Sequence, residues 1–134
     1  MDIVGGDSGY LPRLRRAIDA ARAADIPVIS VVIALRPGFP EVGTRNRALS
    51  AIAQAGHSSR ARRIDSLVLT GIATSAVVLS TLCQANDLDF GLTVLSDACP
   101  DTDPEVHRVL IERLFPQWAD VVTVDDRVKA IAPR

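Results

Sequence analysis

The apolar positions of this chain switch between a helical period of three to four residues and short continuous runs. Residues 1–10 are glycine-rich and aperiodic. Pro12 suits the first turn of a helix. After it, Leu14, Ala17, Ile18 and Ala21 recur at helical spacing, with Arg13, Arg16 and Arg22 facing elsewhere. This predicts an amphipathic helix with its arginines on a solvated face, closed by Asp25 to Pro27. Val28–Ala34 is a largely β-branched run, which predicts a strand covered on both faces, as in a parallel sheet. Arg36 to Pro40 holds two prolines and a glycine and reads as a loop leaving the C-terminal end of that strand. Open α/β sheets bind ligands at that edge, so Arg36 and Phe39 are site-lining candidates. The equal alternative is an ordinary loop anchored by one aromatic.

Ala48, Leu49, Ile52 and Ala55 mark a second helix, closed by Gly56. His57 to Arg63 is a short basic connector. Leu67–Gly71 reads as a second buried strand, and Ser75 to Asn86 as a helix with Thr74 or Ser75 as its N-cap. Ala76, Val77, Val78, Leu79 and Leu82 make that helix apolar nearly all round, which predicts burial. Leu92–Ser96 is a third strand. Asp103, Pro104 and Glu105 form a helix start, with a cap, a first-turn proline and an acid at the positive end of the dipole. Val106, Val109, Leu110 and Leu114 form the expected buried stripe, with His107 off its centre. Val121–Val124 is a fourth strand, and Asp125 to Ile131 a terminal helix. The alternation predicts a Rossmann-like α/β fold: one domain over residues 1–134, with a mainly parallel sheet of about four strands flanked by helices.

Composition narrows the functional classes. The 134 residues are 48% apolar, a globular balance, and the net charge is −1 from 15 basic and 16 acidic residues. Nothing in that balance favours nucleic acid or an anionic membrane as a partner. No apolar run approaches the roughly 20 residues of a membrane span. Cys83 and Cys99 are too few and too far apart for a metal pattern, and His57 has no second ligand at metal spacing, so neither a metal nor a cofactor is expected. Two reduced thiols and no signal segment point to the cytoplasm. The place for chemistry is the strand–turn–helix junction at 67–81.

That block, Leu67–Thr81, carries Gly71, the Ala73–Thr74 pair and the later Ser80–Thr81. With Thr93–Ala98, His107 and Ala119–Thr123, it resembles the isochorismatase-like cysteine hydrolase family. Such proteins hydrolyse small amides, carbamoyl groups or a vinyl ether. The resemblance implies a strand that delivers a cysteine to the first turn of a helix, where the dipole lowers its pKa. An aspartate would serve as base, a lysine as support, and two backbone N–H groups as an oxyanion hole. Carried over, the oxyanion donors are the amides of Ala73 and Val77, after a cis peptide bond between Ile72 and Ala73. Thr74 and Asp97 join Arg36 and Phe39 as possible site lining.

The nucleophile position is Val77, which has no proton to give. The expected aspartate ends a strand preceding Met1, with Asp2 a poor substitute, and the strand bearing the lysine is missing between Gly56 and Arg60. The domain is thus expected to be shortened N-terminally and internally, with no catalytic residue retained. Cys83 lies six residues beyond Val77, about 240° round the helix, and points away. Cys99 reads as a buried or half-buried thiol. Asp97 and His107 read as a strand-end hydrogen bond and a packed histidine. The missing strand would be central to the sheet, so exposed edges and a homo-oligomer are expected. Function then divides between a catalytically impaired hydrolase homologue and a non-catalytic, small-anion-binding or oligomerising α/β protein. A shortened product of a longer gene is a further possibility. A nucleotide-binding domain fits poorly, because no glycine-rich phosphate loop follows the first strand.

Overall fold

In the computed structural model, residues 6–31 and 64–132 are described. The chain divides into two compact units, Met1–Val28 with Asp65–Arg134, and Ile29–Ile64. The expected loop at Arg36 and Phe39, the second helix and the basic connector lie outside the described residues.

The first unit has the expected α/β class. Helix α1 spans Tyr10–Ala23. Strand β1 is Ser66–Leu69, followed after a short turn by a π-helical turn, Thr74–Val78, that runs into α2, Leu79–Asp87. Strand β2 is Gly91–Leu95, with a 3-10 turn at Ser96–Ala98. Helix α3, Pro104–Val109, continues through a π-helical turn, Leu110–Leu114, into a 3-10 turn at Phe115–Gln117. Strand β3 is Asp120–Val122, and α4 is Val124–Ile131. The sheet is parallel in the order β1-β2-β3, with Leu69 opposite Val94 and Leu95 opposite Val122.

The central strand shows how the layers arise. Successive side chains alternate between faces, so Leu92 and Val94 go to one side of β2 and Leu95 to the other. Leu92 and Val94 pack with Val78, Leu82, Ala85, Leu110 and Phe115 from α2 and the second helical run. Leu95 packs with Ala98 and Val124, against Ala17 of α1 and Val128 of α4. A parallel sheet needs such cover on both faces. The caps follow the sequence: Asp103 accepts from the amides of Glu105 and Val106 at 2.9 and 3.2 Å, and Thr123 accepts from Asp126 at 3.2 Å.

Four expectations change. Val28–Val31, the described part of the first expected strand, is not in a strand, and 32–34 lie outside the described residues. β-Propensity measures fit to a neighbouring strand, and no pairing partner for this run occurs among the described residues. Strand β1 is covered mainly on one side: Leu67 and Leu69 reach the core, whereas Ser66 and Val68 are exposed. Helix α2 is likewise one-sided, with Val78, Leu82 and Ala85 inward but Ala76, Ser80 and Cys83 exposed. The stripe on α3 is turned by about one residue. Val106 and Val109 are 39% and 41% exposed, while His107, Leu110, Ile111 and Leu114 lie on the inward side.

Phe115 is 0% exposed and sits in the larger core cluster. Replacing it leaves a cavity that the π and 3-10 turns cannot easily close. Phe115→Ala is expected to lower unfolding free energy by about 3–5 kcal/mol in urea titrations.

Candidate functional site

The C-terminal ends of β1 and β2 carry two loops that are stitched together side by side. Thr70 donates its hydroxyl to the Ala98 carbonyl at 2.5 Å, and the Gly71 amide donates to the same carbonyl at 3.2 Å. Gly71 has φ +144°, a conformation that side chains disfavour, which explains the glycine at this point of the turn. The Ile72–Ala73 peptide bond is cis. Thr74 follows, 0% exposed. Its amide donates to the Pro100 carbonyl at 3.1 Å, and its hydroxyl lies 2.6 Å from the Cys99 carbonyl and 2.8 Å from Nδ1 of His107.

Neither Thr74 nor Ser75 caps the helix that begins here, contrary to expectation. The Thr74 hydroxyl is drawn sideways to the neighbouring loop. The cap comes from that loop: Oδ2 of Asp101 accepts from the Ser75 amide at 2.7 Å, and Oδ1 accepts from the Asp103 amide at 3.2 Å. Burial pushes the Asp101 carboxyl upward, but hydrogen bonds from the Ser75 side chain and from the amides of Ser75, Asp103 and Thr102 outweigh it. The result lies below the ordinary 3.8.

Val77 is half-buried on the π-helical turn. The Ala73 carbonyl accepts from Ala76 and Val78 at 3.2 and 3.3 Å, on either side of it. The Val77 carbonyl accepts from the Thr81 hydroxyl at 2.7 Å. Asp97 is a structural anchor. Its Oδ1 accepts from the Val124 amide at 2.8 Å at the start of α4, and its carbonyl accepts from Nε of Arg13 at 2.8 Å. Arg13 also pairs with Asp7. A space of about 230 Å³ opens beside these groups, lined among others by Tyr10, Arg13, Asp97, Cys99, Asp101 and His107.

Both cysteines are free thiols. Cys99 is 1% exposed and points toward the Leu69 carbonyl, and burial pushes its thiol up to about 12. It cannot supply a thiolate at neutral pH. Among the described residues, no group of three or more His, Cys, Asp or Glu could hold a metal, and no helix is long and apolar enough to cross a membrane. The structure thus brings Ile72, Ala73, Thr74 and Val77 into one turn. Asp97 lies in the adjoining loop, bound to α1 and α4. Sequence reasoning missed Asp101 and the inward role of Thr74. The available signals were the closely spaced acids Asp97, Asp101 and Asp103, and a threonine and a histidine set among apolar neighbours.

Residues 57–126 match the family model described as the isochorismatase domain. Over 72 residues the chain is 38% identical to the isochorismatase family protein YecD of Escherichia coli O157:H7, a stretch that is 54% of this chain and 38% of that protein. Over 75 residues it is 37% identical to the ureidoacrylate amidohydrolase RutB of Variovorax paradoxus (strain S110), 55% of this chain and 30% of that one. The matched stretch is therefore well under two thirds of either relative's length. Among solved structures, a cysteine hydrolase from Pseudomonas syringae pv. phaseolicola 1448A superposes with a TM-score of 0.78 over 96% of this chain and 82% of its own, at 16% identity, a likeness of fold.

Two outcomes follow from these environments. Titration of the native protein with a thiol reagent is expected to modify Cys83 rapidly and Cys99 only after denaturation. The Asp101 carboxyl is held lower in the folded state than its ordinary 3.8, so its stabilising contribution is complete above that value and disappears as pH falls through the folded value. Asp101→Asn is expected to flatten the acid limb of a stability-against-pH curve relative to the parent.

Proposed function

As the chain belongs to the isochorismatase family, we propose that it keeps the hydrolase-type turn of that family as a binding device and does not carry out its covalent chemistry. The observation that carries this reading is Val77 on the first helical turn after β1. A nucleophile at that point would stand at the positive end of a helix, where a thiolate is stabilised. Valine offers only a hydrocarbon surface. Cys99 is no substitute: it is buried, and that burial pushes its thiol up to about 12, well above neutral pH. Cys83 lies about 240° further round the helix from Val77 and is exposed.

What remains is the electrostatic half of the site. The amides of Ala73 and Val77 are the proposed donors to a carbonyl or carboxylate oxygen, aided by the helix dipole. The branched side chain of Val77 forms an apolar wall where a nucleophile would approach. The ligand class proposed is a small ureido acid or amide, in keeping with the ureidoacrylate named for the relative in Variovorax paradoxus.

The test pairs binding with turnover. Titration of 3-ureidopropionate, followed by amide shifts at Ala73 and Val77, is expected to show binding. A panel of amides, ureido acids and vinyl ethers is expected to show no hydrolysis. Val77→Cys is expected to gain a rapidly alkylated thiol without gaining multiple turnover. Multiple-turnover hydrolysis by the parent protein that is lost in Cys99→Ser would overturn the proposal.

A further inference from the structure

The surroundings of the Thr74 hydroxyl determine the protonation of a neighbour. Its oxygen has three polar contacts: the Cys99 carbonyl at 2.6 Å, the Pro100 carbonyl at 3.3 Å and Nδ1 of His107 at 2.8 Å. The hydroxyl has one proton, and carbonyl oxygens can only accept. Two oxygens 2.6 Å apart without a proton between them would repel, so the hydroxyl donates to Cys99. Its contact with His107 must then run the other way, with Nδ1–H donating to the threonine oxygen.

We propose that His107, held as its Nδ1–H tautomer by Thr74, is a positioning residue that sets the direction of the Ala73 and Val77 amides. The coupling is short. His107 sits on α3, anchored by its own amide to the Asp103 carbonyl at 3.0 Å. Through Thr74 it fixes the start of the π-helical turn, whose geometry depends on the Ala73 carbonyl receiving Ala76 and Val78. A leucine here would match the apolar stripe but would leave the buried threonine oxygen without its donor. His107 also lines the space shared with Tyr10, Arg13 and Asp101. The positioning role rests on the binding function proposed above; the tautomer stands apart from it.

The experiment uses the full chain, uniformly labelled with ¹⁵N. It has two histidines, so His57→Gln assigns the signals of His107. Long-range ¹H–¹⁵N spectra are expected to show Nδ1 protonated. Hydrogen exchange at the Thr74 and Val78 amides is expected to rise about tenfold in His107→Leu, with Leu82 unchanged. In His107→Asn, whose amide nitrogen can occupy the place of Nδ1, exchange should stay within about twofold of the parent. The shifts that 3-ureidopropionate induces at Ala73 and Val77 should survive in His107→Asn and vanish in His107→Leu. An Nε2–H tautomer, unchanged exchange in His107→Leu, or equal acceleration at Leu82 in both variants would overturn the inference. If the parent shows no response to 3-ureidopropionate, the binding function falls, and the tautomer and exchange results still decide whether His107 holds the turn.

Discussion

One buried hydroxyl organises the working end of this protein. Thr74 is fully enclosed, and a hydroxyl removed from water without partners is costly. It meets that cost through a carbonyl of one loop and a histidine of α3. Its amide adds a third bond, to the Pro100 carbonyl. The turn is thereby tied to a loop and a helix start 25 to 33 residues further along the chain, and from Gly71 to Val78 it has little freedom to move independently of them. On the helical run that starts with α3, His107 faces inward together with Leu110, Ile111 and Leu114. Turning the helix to bury Val106 and Val109 would withdraw Leu110, Ile111 and Leu114 from the core and His107 from Thr74. The observed arrangement leaves both valines substantially exposed.

Around that point, two aspartates do different work. Asp101 replaces the cap that Thr74 cannot provide, and it binds backbone amides on both sides of its own loop. Asp97 ties the end of β2 to α4 through its carboxylate and to α1 through its backbone carbonyl. Each carboxylate accepts backbone N–H donors that would otherwise lie unpaired near helix starts. The central strand β2 connects the two sides, because its alternating residues feed both clusters of the core. Rigidity at the turn therefore draws on packing above and below the sheet.

Much of this frame was legible in the residues. Periodicity located the elements around 67–71, 92–96 and 121–124, and the Asp103–Pro104–Glu105 start was read with its cap. Strand ends shifted by one to two residues, as in Ser66–Leu69, because ladder pairing with β2 sets them. Val28–Val31, the described part of the β-branched run, lies in no strand, since propensity alone cannot say whether a partner strand adjoins it. Counting apolar positions puts Val106 and Val109 inward on α3, whereas the core takes Leu110, Ile111 and Leu114 and brings His107 with them. The expected cap at Thr74 or Ser75 fails for a related reason. A threonine before a helix serves equally well as a local cap or a long-range anchor, and only the arrival of Cys99 and His107 decides between them. At the candidate site, the Ile72–Val77 turn could be located by resemblance to the isochorismatase family. The contribution of Asp101 could not, because it comes from a loop 26 residues away.

Thr74 is the point at which the turn, the neighbouring loop and α3 meet. The most direct test of that junction is equilibrium urea unfolding of Thr74→Ser and Thr74→Val beside the parent. Serine keeps the hydroxyl and is predicted to remain within about 1 kcal/mol of the parent. Valine keeps the shape but strands the Cys99 carbonyl and the His107 ring nitrogen, with a predicted loss of about 2–4 kcal/mol. A Thr74→Val protein as stable as the parent would contradict the account.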